Sequence, residues 1–446
     1  MASVVQTLTN PAVARYTARY TEMRDRLPGA AHGWVTDLRE AALSKFTRDG
    51  LPTRRVETWK YTDLRSLQQA EFSPASQIEV APSGIALQLI EGAFVAVFID
   101  GRFAPELSRL SDLPAGLQIT SLADALAAGD QALCTGLGTI ADPDQPGFVA
   151  LNAALMQDGA VCRVGDGVTV ERPIQLVFAT TDGAAAETHL RNLLMLGENS
   201  HATIYQSHVS LGPSTGFCDV VTEVSVGQGA GLRHITQQDQ SISAWHVGLV
   251  AARLGRDASF DSFVLSSGAR LSRNEIRVAL DGEGADCRLN GIALVRGRQH
   301  CDNTTDVDHA KGHGHSSQIY KNVLDDRARS VFQGRIHVAP DAQKTDAHQM
   351  NRNLLLSRNA QADSKPELII HADDVKCSHG ATVGDLDQDA LFYLQSRGID
   401  PIMARNLMVR GFASEMIDDL PDDAIRAHLE AGITSWLDAM ATAEAA

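Results

Sequence analysis

Cys377 and His379 stand two residues apart near the C-terminal end of the chain, separated by Ser378. In an extended segment, alternation points both side chains to one face and Ser378 to the other, with about 7 Å between the two positions. A thiolate and an imidazole suit iron or zinc, but two ligands cannot complete a four-coordinate site. The remaining ligands would have to come from a second chain. The alternative is a buried cysteine beside a hydrogen-bonded histidine.

A second group of metal-type ligands begins at Cys301. Carboxylates and imidazoles follow it at short spacings: Asp306, Asp308, His309, His313 and His315. Such side chains can complete a shell around zinc or iron. There is no paired Cys-x-x-Cys, however, and the glycine-spaced histidines at 313 and 315 are also typical of a solvated loop between strands. The sequence leaves both interpretations open.

Nucleotide-binding motifs are absent from the sequence. No Gly-x-x-x-x-Gly-Lys-Ser/Thr loop occurs, so the chain does not resemble an ATPase. The glycine-rich pieces precede β-rich runs and lack a following helix, which excludes a dinucleotide-binding fingerprint.

Composition and charge exclude further classes of partner. The 446 residues suffice for two or three domains, and 39 basic against 55 acidic side chains give a net charge of −16. Such a balance disfavours binding to nucleic acid or to an anionic membrane. No apolar run approaches the roughly 20 residues of a membrane span, and no secretory signal is visible. Six scattered cysteines predict free thiols in a reduced cytoplasm.

The elements that must position these side chains fall into three regions. Apolar spacing predicts helices over Ala12 to Arg26 and over His32 to Phe46. Between Leu51 and Leu64 a polar segment predicts a loop whose Trp59 and Tyr61 pack onto the neighbouring domain. From about Ile85 to about Gly384, short β-rich runs alternate with Gly, Asp and Asn.

A weak repeat runs through the β-rich region. Several runs end in a turn followed by an alanine, at positions 202, 230, 258 and 285, and then at 328 and 360. Even spacing of one turn type predicts stacked coils, each burying its inner face against the next. A β-solenoid explains this pattern better than a sandwich, whose turns need not recur at a fixed long period.

Helical signals return after Gly384. A short helix carrying Leu391, Tyr393 and Leu394 should end at Arg397-Gly398, with glycine as a left-handed cap. Asp400 and Pro401 then predict an N-cap and a first helical residue. An apolar stripe follows on one helix face, made of Ala404, Leu407, Met408, Gly411, Phe412 and Met416. The stripe could pack on the solenoid or form a docking platform. A third helix is expected from Leu420-Pro421 to about Met440.

Several segments resemble the SufB/SufD family of iron–sulfur cluster assembly proteins. They are Val307–Ala310, Tyr320–Ile336, Asp341–Ala347, Asn353–Ser357, Ala362–Leu368, Ala372–Gly384, Leu391–Ile399 and, near the N-terminus, Arg54–Thr62. SufB-like chains generally carry Glu-His-Glu-Ala where this chain has Cys377-Ser-His-Gly-Ala381, so the likeness is to the SufD branch. The family fold implied is a right-handed parallel β-helix flanked by helical domains. We therefore expect an N-terminal helical domain over 1–84, a β-helix core over 85–384 and a C-terminal helical domain over 385–446.

The resemblance also implies a function. It implies a non-catalytic scaffold subunit that pairs with a SufB-like subunit through the β-helix ends and binds the SufC ATPase by its C-terminal helices. His379, with Cys377 as the weaker candidate, would contribute to a transient iron or iron–sulfur site at the interface, incomplete without the partner. The residues expected to bind SufC are Leu391, Leu394, Arg397, Ala404, Leu407, Met408 and Phe412. Reduced flavin in the complex and a homodimer of the isolated chain are also compatible with the family, although no motif places the flavin.

Two other functions were weighed from the sequence. A stand-alone β-helix enzyme acting on sugars would need clustered carboxylates along the solenoid, and Asp302, Asp306 and Asp308 are available for that role. Only 5% of the residues are aromatic and no secretion signal is visible, which disfavour it. A SufB-type scaffold holding most cluster ligands itself is disfavoured by the missing Glu-His-Glu-Ala.

Overall fold

Two parallel β-sheets wound as successive coils dominate the computed structural model, which describes residues 11–74, 80–141, 147–181, 183 and 185–445. Seven coils of two strands each run from residue 186 to residue 384. Their strands are β7 Ala186–Leu196, β8 His201–Ser210, β9 Phe217–Val226, β10 Gly231–Asp239, β11 Trp245–Leu254, β12 Ser259–Ser266, β13 Leu271–Leu280, β14 Asp286–Val295, β15 His300–His309, β16 His315–Leu324, β17 Arg329–Val338, β18 Asp346–Leu355, β19 Gln361–Ile370 and β20 Lys376–Gly384. Odd strands form one sheet and even strands the other. The predicted β-solenoid is confirmed.

Shorter strands and helices precede the coils. The strands are β1 Ser73–Pro74, β2 Phe94–Ile99, β3 Arg102–Phe103, β4 Leu117–Ser121, β5 Ala160–Val164 and β6 Ile174–Thr180. The helices are α1 Pro11–Met23, α2 Gly33–Asp49, α3 Arg65–Gln69, α4 Pro82–Ile85, α5 Leu122–Ala127 and α6 Phe148–Leu155. The pairs β2/β3 and β4/β5 are antiparallel and end the two sheets at this side. The parallel ladder is thus closed at its N-terminal end.

One corner of each of the first six coils uses a residue with positive φ. These residues are Asn199, Gly229, Asp257, Gly284, His313 and Lys344, and they recur every 27 to 31 residues. Each stands between an odd strand and the following even strand. The left-handed conformation suits Gly, Asn and Asp, which explains why turn residues punctuate the sequence at this period.

The alanine series mixes two corners of the coil. Ala230, Ala258 and Ala285 directly precede even strands, whereas Ala328 and Ala360 precede the odd strands β17 and β19. Ala202 is not equivalent to any of them, because it lies inside β8 and pairs with Leu232. The spacings between successive alanines are irregular because the series compares opposite corners of the coil. The spacing of 28 residues between Ala202 and Ala230 is therefore not the length of a coil.

The lumen between the sheets is divided lengthwise into an apolar and a polar half. Near the positive-φ corner it is filled by aliphatic side chains such as Ile204, Val224, Leu254 and Leu280. Towards the opposite corner the inward positions carry buried polar groups: Gln206, His208, Thr222, His234, Gln238, His246, Ser272, Asn303, Gln318 and Asn322. Buried polar groups must be paired, so this half of the lumen is held by hydrogen bonds rather than by apolar packing alone.

Helices from the two chain ends cover opposite outer faces. Three helices follow the last strand: α7 Gln388–Ser396, α8 Pro401–Ser414 and α9 Asp423–Ala445. The last two pack on the even sheet, where Val409 and Trp436 join the cluster of Tyr205 and Leu265. The N-terminal helices and α6 pack on the odd sheet, in the cluster that contains Phe217. The solenoid is thus flanked by helices from both termini.

The polar segment after residue 51 anchors the N-terminal region to the odd sheet. Trp59 is buried, and the guanidinium carbon of Arg273 on β13 lies 3.9 Å from its ring centroid. The prediction that Trp59 packs on the neighbouring domain is confirmed. Tyr61 is half-buried, with the Lys60 ammonium 5.6 Å from its ring.

The exact boundaries of the three domains remain a prediction. The last strand ends at Gly384, as expected for the core, but α6 lies inside the range 85–384 and packs against α2. The helical layer on the odd sheet therefore draws on residues from both sides of position 84.

Candidate functional site

The C-terminal end of the solenoid is open. In the part of the chain that the structure describes, β19 pairs only with β17 and β20 only with β18. Apolar side chains remain accessible there, with Ile370 40% and Val383 56% exposed. An uncovered strand edge presents unpaired N–H and C=O groups and is a template for another strand. This end is therefore suited to receive a second β-structure.

Cys377 and His379 lie on β20, at this open end. Their register partners one coil earlier are Ala347 and Gln349 on β18. Cys377 is half-buried and packs against the apolar cluster of the lumen, whereas His379 is exposed. Burial, and to a smaller extent the charge of Asp346, raise the pKa of the Cys377 thiol, so it is protonated near neutral pH.

Ser378 faces away from the lumen. Its hydroxyl lies 2.7 Å from Nδ1 of His348, and the other ring nitrogen of His348 lies 2.6 Å from a carboxylate oxygen of Asp346. This chain of contacts runs over the outer surface of β18 and β20. Cys377 and His379 point to the other face of β20, because side chains alternate along a strand, as expected from their spacing.

Sequence reasoning missed the amides beneath His379. Gln349, Asn351 and Asn353 alternate along β18 and are buried. Neither side-chain polar atom of Gln349 has a hydrogen-bond partner, while Asn351 donates to the carbonyl of Tyr320 at 3.2 Å. Their period-two spacing in the sequence is the signal that could have revealed a polar lumen at the open end.

The first C-terminal helix ends and the second begins where the sequence predicts, whereas the third runs to Ala445, beyond the expected end near Met440. Gly398 adopts a φ of 85°, and the carboxylate of Asp400 accepts hydrogen bonds from the backbone N–H groups of Ile402 and Met403. Pro401 is the first residue of α8. These caps determine where the short preceding helix ends and where α8 begins.

The residues expected to bind a partner divide into two groups. Ala404 is fully buried, and Phe412 is half-buried with the Lys321 ammonium 4.6 Å from its ring. Ala404 packs on the protein itself, because α8 lies on the even sheet, and expecting it on a partner surface was wrong, whereas a partner contact by Phe412 stays a prediction. Leu407 is 47% exposed and Arg397 is also exposed, whereas Leu391, Leu394 and Met408 are half-buried.

Further apolar side chains on the same helices are exposed. Phe392 is 72%, Tyr393 57% and Met403 59% exposed. Large apolar groups grouped on two adjacent helices mark an interaction surface more often than an ordinary solvated face. Together with Leu407 they form what we call the α7–α8 patch. The stripe analysis missed most of it, since it selected the face that α8 buries.

The group of ligands after Cys301 does not come together. Cys301 is buried at the start of β15, whereas His309 ends that strand and its Nε2 lies 2.8 Å from the hydroxyl of Ser316. Asp308 contacts His337 at 2.8 Å, and His315 lies 3.4 Å from Asp286. The loop interpretation was also wrong in part, because only His313 is in the turn. These side chains stabilise separate coils rather than a common ion.

Family models cover most of the chain. The model described as "SUF system FeS cluster assembly, SufBD core domain" matches residues 178–412, and the "SufBD protein N-terminal region" matches residues 11–176. The chain belongs to the SufBD family. The junction of the two models falls at residue 177, inside β6 and one strand before the regular coils of this SufBD protein begin.

Relatives from three bacteria share the family over long alignments. An iron–sulfur cluster assembly SufBD family protein of Synechocystis is 32% identical over 90% of this chain and 91% of its own length. The iron–sulfur cluster assembly protein SufD of Escherichia coli is 33% identical over 88% and 90%, respectively. SufD of Bacillus subtilis is 30% identical over 64% and 66%.

Two further observations bear on the setting of the site. Among the described residues, no helix combines the length and the apolar character that a membrane crossing requires. All six cysteines are free thiols, as the sequence predicted.

Proposed function

We propose that this SufBD-family protein is a SufD-type scaffold subunit of an iron–sulfur cluster assembly complex in the cytoplasm. In this role it pairs with a SufB-like subunit and binds the SufC ATPase, and it performs no catalysis itself. The open end of the solenoid is the observation that carries the proposal, since Phe103, Leu110 and Leu113 cap the lumen at its N-terminal end, whereas the edges of β19 and β20 and their exposed apolar side chains are uncovered at the other.

The open end supports pairing with another solenoid. A homologous β-helix offers strands of matching spacing, so both edges could be continued at once by backbone hydrogen bonds. Exposed Ile370 and Val383 would be buried by such a partner. Such pairing would provide hydrogen-bond partners for the N–H and C=O groups of both strand edges, and it would bury the exposed apolar side chains at the same time.

His379 and Cys377 would form an incomplete ligand set at that interface. They share one face of β20 at the mouth of the lumen, so a partner strand placed against β20 lies next to both. Iron or a nascent cluster would be cargo here, with the missing ligands supplied by the SufB-like subunit. Reduced flavin in the complex remains part of the proposal without an assigned position.

The α7–α8 patch is the proposed SufC-binding surface. Phe392, Tyr393, Met403 and Leu407 offer apolar anchors, and Arg397 lies close by with its guanidinium carbon 5.1 Å from the Tyr393 ring. Aromatic and arginine side chains are enriched among residues that dominate binding energy. This surface is on α7 and α8, distinct from the strands of the open end.

Co-purification of this chain with SufB-like and SufC proteins tests the pairing. Val383→Lys should abolish recovery of the SufB-like subunit while SufC is retained, because a charge would be buried against the partner. Leu87→Lys is the matched control, since Leu87 is 89% exposed and belongs to the N-terminal half of the chain. Equal recovery of the SufB-like subunit with both variants would overturn pairing through the open end.

A second pull-down tests the helical surface. Leu407→Glu should remove SufC while the SufB-like subunit is retained, because an apolar anchor is replaced by a charge. Ile242→Glu, at an exposed apolar residue on a coil corner, serves as the control. Retention of SufC by the Leu407 variant would assign ATPase binding to another surface.

A further inference from the structure

Three inward side chains meet across the lumen where the first three coils stack, and a fourth, Gln238, neighbours one of them. His208 on β8 and Gln238 on β10 are register partners in the even sheet. Cys218 on β9 and His246 on β11 are register partners in the odd sheet. One ligand atom from each of His208, Cys218 and His246 can be chosen so that all three lie within 4.8 Å of one another. The arrangement is therefore a compact set of nitrogen and sulfur donors facing each other across the lumen.

Each of the two imidazoles has a ring nitrogen that is not used in a hydrogen bond of the protein. In both histidines Nδ1 is buried and has no hydrogen-bond partner, and the same holds for Oε1 of Gln238. His208 Nε2 lies 2.7 Å from the side-chain nitrogen of Gln206, a contact that fixes the orientation of the ring. Buried polar atoms without partners are rare and call for a ligand or an ordered water.

Space for a small occupant lies beside these side chains. A cavity of about 20 Å³ is bordered by His208, His246, Thr222 and Gly248. That volume suffices for one water molecule or one ion. A Cβ at position 248 would approach His246 Nε2 to 3.0 Å, so glycine keeps the space beside the ring free.

Both imidazoles are held in the neutral form that binds a metal, whereas the thiol of Cys218 must lose its proton. Burial lowers the pKa of His208 well below its usual value and that of His246 to about 3, so both imidazoles are neutral. Burial also raises the pKa of Cys218 to about 12, while hydrogen bonds from Thr188 and Gln240 act in the opposite direction. The nearby His234, with a pKa lowered to about 4 by burial, is neutral as well. Without an ion the site carries no charge.

We propose that His208, Cys218 and His246 bind a divalent transition-metal ion of the zinc type inside the lumen. Two imidazoles and a thiolate are borderline to soft donors, the set that Zn²⁺ accepts in tetrahedral sites. Gln238 Oε1 or a water in the adjoining cavity completes the coordination. Binding forms a metal–sulfur bond and breaks the S–H bond of Cys218, and the proton leaves to solvent.

This ion is separate from the cargo site at the open end. Six strand spacings divide β8 from β20 in the even sheet, which amounts to about 29 Å. The ion would join the first three coils and both sheets at one point, since its ligands lie on β8, β9 and β11. Its role is structural, as in other metal sites without an open coordination position.

Metal content of the full-length chain tests the proposal. Cells producing the protein are grown with added Zn²⁺ or Co²⁺, so that the ion is present while the chain folds and access to the closed lumen does not limit loading. The purified wild type should hold about one metal ion per chain after gel filtration. The cobalt form should show a thiolate-to-cobalt charge-transfer band.

Matched serine variants assign the site. Cys218→Ser should lose the charge-transfer band and most of the bound metal, whereas Cys287→Ser should keep both, because Cys287 is an equally buried lumen thiol outside the ligand group. His246→Gln should also lose the metal while retaining the circular-dichroism spectrum of the wild type. A folded wild type without metal, or a Cys218→Ser variant that keeps the band, would overturn the proposal.

Discussion

His379 is exposed on an edge strand, so its side chain contributes little to the folded state of this chain alone. We expect His379→Ala to change the free energy of unfolding by less than about 0.5 kcal/mol. Partner binding should persist, because the backbone edge is unchanged. Under the proposed function, the iron content of the co-purified complex and the maturation of cluster enzymes in cells should both fall.

His348→Ala provides the control for that variant. His348 also lies on an even strand near the open end, but it contacts Ser378 and Asp346 on the outer face. Its loss should leave iron content unchanged. If maturation were unaffected by His379→Ala, the side chain would have no part in handling iron.

The two ligand groups differ in how far sequence could reveal them. The shared face of Cys377 and His379 follows from alternation within one strand, which is a local property. Cys218 and His246 are 28 residues apart and meet His208 across the lumen, so their proximity depends on strand register and on how the two sheets face each other. The ligands after Cys301 show the converse. They are close together in the sequence, but the structure places them at different positions along and across the strands.

Glu275 should link stability to pH. Burial alone would raise its pKa, but the guanidinium groups of Arg277 and Arg273 outweigh burial and lower it to about 2. A carboxylate with a depressed pKa in the folded state stabilises the protein above its unfolded pKa near 4.5, and the contribution is lost as pH falls from there to about 2. The contribution is on the order of 3 kcal/mol.

Urea unfolding of Glu275→Gln at several pH values checks this link. The variant should lose stability at pH 7 and show a flatter pH dependence between about 4.5 and 2 than the wild type. Glu283→Gln, at a more exposed turn position, should retain the wild-type slope. Parallel curves for Glu275→Gln and the wild type would contradict the assignment.

At the scale of elements, the corners between odd and even strands determine the winding. Asp257 has a φ of 53°, which costs an ordinary residue about 1–2 kcal/mol. We expect Asp257→Val to destabilise the protein by about that amount, since a β-branched side chain is least tolerant of this conformation. Asp257→Gly should be close to neutral. Thermal unfolding would test both, and equal effects of the two substitutions would argue against backbone strain as the cause.

Turn chemistry also explains how much of the fold could be predicted. The strands, the cap at Gly398 and the N-cap at Asp400 follow from local signals, and the structure contains all of them. The spacing of the alanines did not give the length of a coil, because small residues occupy both corners. Which face α8 buries depends on its position against the even sheet, so Ala404 and Phe412 could not be separated from Leu407 by helical spacing alone.

For the whole molecule, stability should be graded along the solenoid. Each inner coil is paired on both sides, whereas β19 and β20 are paired on one side only. Amide hydrogen exchange in the isolated chain should therefore be fastest in the last coil and slowest in central strands such as β11 and β12. Addition of the SufB-like partner should slow exchange in β19 and β20. Uniform protection of all seven coils would contradict this gradient.

The uncovered C-terminal end gives the molecule a direction of growth. A parallel solenoid lengthens by adding one layer to an existing layer, and the N-terminal elements that close the opposite end leave the ribosome first. They can act as the seed, after which each newly synthesised coil is templated by the one before it. The coils end at β20, where the chain turns into helices, while the last layer is still competent to add strands. Docking of a second β-helix would then be the next step of the same layer-by-layer process, carried out by another polypeptide.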